Sequence, residues 1–199
     1  IMQNSTSKVR VLTGTAMLGA VAAVLMYLEF PIPIMPAFVK LDVSELPALI
    51  ASFAYGPVSG ILVCLIKNLI KLPSTSTAAV GELFNFVMGA LFVGVAGLIY
   101  KRNKTRKGAI VGALLGALVM AVVSVPYNYF IVYPAYVVMY HLPLDAIIGM
   151  YQAINPNVNG LLACLLVFNL PFTFVKGALD AVLCFLVYKP LSPILHGRK

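Results

Sequence analysis

Long apolar segments separated by short polar or proline-rich stretches set the pattern of the chain. Residues 9–28 are apolar and end at Glu29 and a cluster of Pro31, Pro33 and Pro36, which no helix interior tolerates. Residues 43–72 form a 30-residue apolar run, broken at Tyr55-Gly56-Pro57, a turn signal. Residues 80–100 are apolar up to a basic cluster. Residues 108–140 contain Pro126 and then an aromatic stretch, and 160–188 contain Pro171, which predicts a kink. The runs lack the alternation of barrel strands, so they read as helices, each needing about 20 residues to cross a ~30 Å hydrocarbon layer.

Composition narrows the class. Of 199 residues 61% are hydrophobic and only 10% charged, with a mean hydropathy of +0.99. A soluble domain carries about 25% charged residues, so this chain cannot cover a water-facing surface. A soluble globular enzyme and a disordered chain are both excluded, leaving an integral membrane protein. The net charge of +8 does not point to nucleic acid, because no basic stripe interleaves with exposed aromatics. Most of the cations flank apolar runs instead: Lys8 and Arg10; Lys101, Arg102, Lys104, Arg106 and Lys107; Lys189, Arg198 and Lys199. That is the positive-inside pattern, with the anionic inner leaflet of a cell membrane as partner. The first apolar run is longer than a signal core and lacks a cleavage site, so it reads as a spanning helix. Cys64, Cys164 and Cys184 are isolated in apolar sequence and read as small core hydrophobes.

Parity decides the number of crossings. If the amino terminus and the 101–107 cluster both face the cytoplasm, the chain between them crosses an even number of times. Segments 9–28 and 80–100 supply two, so 43–72 supplies none or two. Two short helices pivoting at Gly56-Pro57 fit, thin enough to require tilt or a thinned bilayer. The expected architecture is an all-α bundle of six transmembrane helices, about 9–28, 43–55, 57–72, 80–100, 108–140 and 160–188, forming a single membrane domain with both termini cytoplasmic. Outward loops at 29–42, 73–79 and 141–159 place a ligand site in the outer half.

Polar residues inside a membrane are expensive and mark candidate sites. Glu82 is either a first-turn carboxylate favoured by the helix dipole or an acceptor for ligand hydroxyls; Asn85 lies one step away. Asn128 stands within Pro126-Tyr-Asn-Tyr-Phe130, near the outer interface. The surrounding tyrosines suit an aromatic belt, but a belt needs no amide. An amide presents donors and an acceptor in one plane, suited to a flat heterocycle with imide-like edges. Asn169, Thr173 and Lys176 share one helical face with Asp180. Lys176 is read either as pairing with Asp180 or as donating to a ligand carbonyl. The site is thus expected to be uncharged, aromatic and rich in amides and hydroxyls.

No catalytic residue, metal site or cofactor is expected. The two histidines are far apart, and neither HExxH, GxSxG nor a P-loop occurs, so if transport is active its energy comes from another subunit or from an ion gradient. On the first helix Ala16 and Ala20, with Gly19 and Ala23 offset by three, offer a smooth face for close helix approach.

Several blocks together carry a family resemblance: Tyr27-Leu-Glu-Phe-Pro-Ile-Pro33, Leu41-Asp-Val-Ser-Glu-Leu-Pro-Ala-Leu49, Tyr55-Gly-Pro57, Val80-Gly-Glu-Leu-Phe-Asn-Phe86, Asn128-Tyr-Phe130 and Pro171-Phe-Thr-Phe-Val-Lys-Gly177. They resemble the substrate-binding S component of energy-coupling factor (ECF) riboflavin transporters over nearly the whole chain. The resemblance implies six helices, an outward vitamin pocket under a first-loop lid, and partnership with a transmembrane coupling subunit and two ATPases. It makes the Ala16/Ala20 face the docking surface. It implies that Leu41 contacts the flavin ring, that Asn128 and Lys176 bond the isoalloxazine edge, and that Glu82 lies near the ribityl chain. Thr173 stands where some relatives carry asparagine; it can donate and accept but reaches less far. Riboflavin, neutral and polyhydroxylated, suits this site better than cationic thiamin or anionic biotin. The rivals are a stand-alone ion-coupled permease, with Glu82 or Asp180 as proton carrier, and a non-transporting membrane scaffold.

Overall fold

The computed structural model describes residues 2–36, 38–75, 77–141 and 143–196, with side chains between 8 and 188. Helix makes up 81% of it, as expected where no water can satisfy backbone groups. The expected cytoplasmic Arg198 and Lys199, and the side chain of Lys189, lie outside the described residues.

In chain order the elements begin with α1 (Met2–Tyr27), an antiparallel hairpin of β1 (Phe30–Pro31) and β2 (Lys40–Leu41), α2 (Glu45–Tyr55), α3 (Pro57–Lys71) and α4 (Val80–Arg102). Next, α5 (Arg106–Tyr127) passes through a π-helical turn (Asn128–Val132) into α6 (Tyr133–Tyr140). After α7 (Leu144–Gln152), α8 (Leu161–Cys164) passes through a second π turn (Leu165–Asn169) into α9 (Leu170–His196). Among the described residues five segments are long and apolar enough to cross a membrane: Lys8–Tyr27, Pro57–Ser74, Val80–Arg102, Arg106–Tyr140 and Leu161–Tyr188. At 11 residues, α2 spans roughly 16 Å by the helical rise. It is the thin element foreseen, and most of its side chains are buried.

The rods alternate in direction. Gly14 of α1 packs on the Tyr55 ring, and Phe53 stacks on Phe185 and meets Tyr100 and Tyr188 edge-on, with 5.0 Å between the Phe53 and Tyr100 centroids. One end of the bundle therefore gathers the amino-terminal part of α1, the α2–α3 turn, the basic end of α4 and the part of α9 around Phe185 and Tyr188. At the other end Tyr27 meets Ser74 and the hairpin meets α3. Gly56, at φ 108° and ψ 166°, makes the sharp α2–α3 turn in a conformation other residues avoid. Ser52 Oγ then donates to Val93 O at 2.7 Å and ties α2 to α4. Close approach of α4 and α5 rests on Gly112 and Gly116, where a Cβ would strike the Ala96 and Phe92 carbonyl oxygens.

Prolines explain both π turns. A helical proline loses its N–H bond and crowds the carbonyl four residues back. For Pro134 that residue is Phe130, and for Pro171 it is Val167; each is the middle of a π turn. Widening the turn relieves the crowding without breaking the helix, so Pro171 is accommodated by a π turn, a usual place for a helix to bend.

The segment 141–159, expected as a loop, contains α7. Only nine residues long, α7 owes its stability to packing rather than propensity: Ile147 and Tyr151, four apart, are both buried. The small-residue surface of α1 also divides. Gly19 packs on Ile66 of α3 and Ala23 is buried, whereas Ala16 and Ala20 face outward.

Candidate functional site

At the end away from the basic cluster, a cavity of about 180 Å³ lies between the hairpin, α2, α3, α4, the two π-turn helices and the loop before α4. Glu82, Asn85, Asn128, Thr173 and Lys176 all line it. Leu41 does not. Its neighbours Lys40 and Asp42 form the wall, and the alternation of side chains in extended backbone turns Leu41 to the other side.

The π turns aim two amides. Asn128 opens the first and Asn169 closes the second; both are buried and both face the cavity. Asn169 is held by a hydroxyl network. Tyr151 Oη donates to Asn169 Oδ1 at 2.7 Å, the Tyr133 and Tyr151 hydroxyls are 2.5 Å apart, and Asn169 Nδ2 reaches Tyr133 Oη at 3.4 Å. Helix α7 thus has a purpose in the site, which is to bring Tyr151 against Asn169. The aromatic stretch is sorted by helical phase: Tyr133 and Tyr136 turn inward, while Phe130, Tyr129 and Tyr140 remain exposed as a belt. Phe38, near the hairpin tip, meets the rings of Tyr133, Tyr136 and Tyr151 edge-on with centroids 6.3–6.5 Å away.

Beneath the hairpin is an ion network that the sequence reading missed. Lys67 Nζ donates to Glu45 Oε1 at 2.6 Å and to Ser44 Oγ at 2.5 Å. Lys176 Nζ lies 2.5 Å from Glu45 Oε2 and 3.2 Å from Asp42 Oδ2. Asp42 Oδ1 accepts from the Ser44 amide at 2.8 Å and from its hydroxyl. Burial alone would raise the Asp42 pKa, but Lys176, Lys67 and the Ser44 bonds outweigh it and hold the group well below the usual carboxylate range. A second network joins Glu29 to Lys40 at 2.9 Å and to Lys71 at 3.0 Å. Burial opposes ionisation of Glu29, yet the two lysines leave its pKa lowered.

Two expectations are corrected here. The site is not uncharged: Glu29, Asp42, Glu45 and Glu82 line it, with Lys40, Lys71 and Lys176 on the wall and Lys67 behind. Its four acids and four lysines balance in number, and Glu29, Asp42 and Glu45 are each held in ion pairs that offset their burial. Nor does Lys176 pair with Asp180. Its ammonium swings to the two acids near the start of α2, while Asp180 is fully buried with neither oxygen hydrogen-bonded. The sequence signal for this network was two acids three apart at a predicted helix start, with Lys67 in the apolar run that folds back on it. Glu82 instead accepts the Thr75 and Thr77 hydroxyls on one oxygen, at 2.7 and 2.9 Å. Glu82 is thus a first-turn carboxylate that also lines the cavity.

A helical membrane bundle with an end-on cavity of amides, aromatic rings and balanced ions defines a membrane protein that binds a small polar molecule. Residues 10–188 match the family model of the ECF transporter substrate-specific component, and the chain belongs to that family. It is 34% identical over 180 residues to the riboflavin transporter RibU of Staphylococcus aureus (strain TCH60), covering 90% of this chain and 89% of that protein. It is also 34% identical over 195 residues to the riboflavin transporter FmnP of Bacillus subtilis (strain 168), covering 96% and 97%. A solved S component of a bacterial ECF transporter superposes with a TM-score of 0.74 at 32% identity, covering 94% of this chain and 98% of that one.

Proposed function

We propose that this chain is the high-affinity riboflavin-binding subunit of an ATP-driven vitamin uptake transporter in the bacterial cell membrane. It captures riboflavin on the outer side and delivers it through a transmembrane coupling subunit driven by two ATPase subunits. The observation that carries this reading is the cavity itself, in which inward amides on two π turns and a tyrosine-lined wall meet ions that cancel. Such a site suits a neutral, flat, polyhydroxylated molecule and penalises a net charge. Asn128 offers a donor and an acceptor to the imide edge of the isoalloxazine, with Lys176 and Thr173 beside it. Tyr136 and Phe38 cover the ring, and Glu82 and Asn85 take the ribityl hydroxyls. The RibU and FmnP relatives support riboflavin over another vitamin.

The alternating rods support six membrane helices, with α2 and α3 as a short tilted pair. The gathering of basic residues at the end opposite the cavity supports cytoplasmic termini and an outward-facing site. The exposed Ala16/Ala20 face is then free to meet the coupling subunit.

The test is to purify the chain, look for retained yellow flavin, and titrate the flavin-free protein by quenching of riboflavin fluorescence, with thiamin and biotin as competitors. Saturable quenching that neither competitor disturbs is expected. A colourless preparation without quenching overturns the reading. One observation favours a stand-alone ion-coupled permease: the buried, unbonded carboxylate of Asp180. Uptake that continues in ATP-depleted cells and collapses with a proton uncoupler would establish that alternative.

A further inference from the structure

A second cavity, of about 300 Å³, opens at the basic end of the bundle, away from the vitamin site. Its walls are the α2–α3 turn around Gly56 and Pro57, the last turns of α4 at Gly97, Tyr100 and Lys101, and Lys104 in the connection to α5. Two glycines shape it. A Cβ on Gly97 would lie 3.1 Å from Pro57 Cα, so only glycine lets the turn settle against α4. Gly56 bends the chain without placing a side chain in the space. Phe53, buried, provides an apolar floor.

The charge around this cavity is uncompensated. Lys101 and Lys104 belong to the cluster of five cations between 101 and 107, all exposed. None of these cations makes an ion pair with a described acid. Of the six acidic residues in the chain, Glu29, Asp42, Glu45 and Glu82 line the opposite cavity, Asp145 lies on α7, and Asp180 is interior. From the rim, Val58, Leu62, Leu65 and Leu69 follow at steps of four, three and four. They form one exposed apolar stripe along the length of α3.

We infer that this cavity is a binding site for one anionic phospholipid, its phosphate held by Lys101 and Lys104 and its acyl chain lying along the Val58–Leu69 stripe. A free phosphate would satisfy the same ammonium groups, but only a lipid uses the apolar stripe that leads out from them. Basic pockets between membrane helices hold acidic headgroups by this combination. The site is independent of the vitamin reading.

The experiment uses the full chain in nanodiscs containing phosphatidylcholine with or without phosphatidylglycerol, released into detergent, with bound lipid counted by native mass spectrometry. One phosphatidylglycerol retained over phosphatidylcholine is expected. The K101Q/K104Q variant should weaken that retention by roughly 30-fold, from about 1 kcal/mol per lysine near a charged surface. The R106Q/K107Q variant removes the same charge from outside the cavity and should retain the lipid nearly as the parent does. Both pairs are exposed, so the interior is untouched, and thermal midpoints check this. Equal losses in the two variants would mean diffuse attraction and overturn the site. Displacement of the lipid by millimolar inorganic phosphate would assign the cavity to a free anion instead, and equal retention of the two lipids would overturn the proposal outright.

Discussion

Replacing Glu45 with glutamine tests the ion network most directly, because one carboxylate there serves two lysines from two helices. Its side chain is 2% exposed and contacts Lys67 at 2.6 Å and Lys176 at 2.5 Å. Gln keeps the shape and removes the charge, leaving two buried ammonium groups to share Asp42. Removing one member of a buried ion pair costs about 3–5 kcal/mol, mostly because the orphaned partner stays desolvated. Lys176 retains Asp42 at 3.2 Å and Lys67 retains Ser44 at 2.5 Å, which argues for the lower end. A loss near ~3 kcal/mol is a large part of the total stability of a typical domain. By the scaling of a ~200-residue protein it lowers the thermal midpoint by roughly 6–12 °C. Cys64, Cys164 and Cys184 are buried free thiols, so a thiol-reactive fluorogenic dye reports the melt without added labels. The double variant Glu45→Gln/Lys67→Met should recover a substantial part of the loss, since it removes the stranded charge along with its partner. A single variant that melts within about 2 °C of the parent, a difference under ~1 kcal/mol, would refute the argument.

Asn128→Leu should weaken riboflavin binding by about 1–3 kcal/mol, roughly 5- to 150-fold, with an unchanged melt; an unchanged titration would remove Asn128 from the site. Because the folded pKa of Asp42 is depressed from its ordinary 3.8, its contribution is complete above that value and is lost as pH falls towards the folded one. A melting series should therefore stay flat in this respect from neutral pH to about 5 and fall below about 4; Asp42→Asn should reduce that acid limb, and an identical limb in the variant would assign it to other groups. Trp at Ala16 and Ala20 should leave flavin titration near normal, since both positions face outward and neither lines the cavity. Co-purification with the coupling subunit and uptake in cells should both be lost; normal uptake from the double variant would dismiss this face as the docking surface.

How far the sequence alone reached can be read from particular residues. The apolar runs predicted the long helices because a span must bury about 20 residues of backbone in hydrocarbon, and that demand is local. The break at Gly56-Pro57 was legible for the same reason. So was the common face of Asn169, Thr173 and Lys176, which needs only helical spacing. Lys176 shows where such reasoning stops. Asp180, four residues on, was its nearest acid by spacing, but its long stem reaches Asp42 and Glu45, more than 130 residues earlier in the chain. Choosing between partners requires knowing which helix packs beside which. The π turns were hidden similarly, since a proline announces a disturbed turn but not how neighbouring packing absorbs it. Helix α7 was missed because its nine residues have little propensity to stand alone; Tyr151, buried against Asn169 and Tyr133, supplies what the segment itself lacks. The sequence by itself determined the membrane class, the long apolar helices and the cavity residues Glu82, Asn85, Asn128, Thr173 and Lys176, because hydrophobic length and helical period act within one segment. Only the tertiary structure decided the ion pairs, the aim of the amides and the balance of charge, because these depend on side chains that meet across helices.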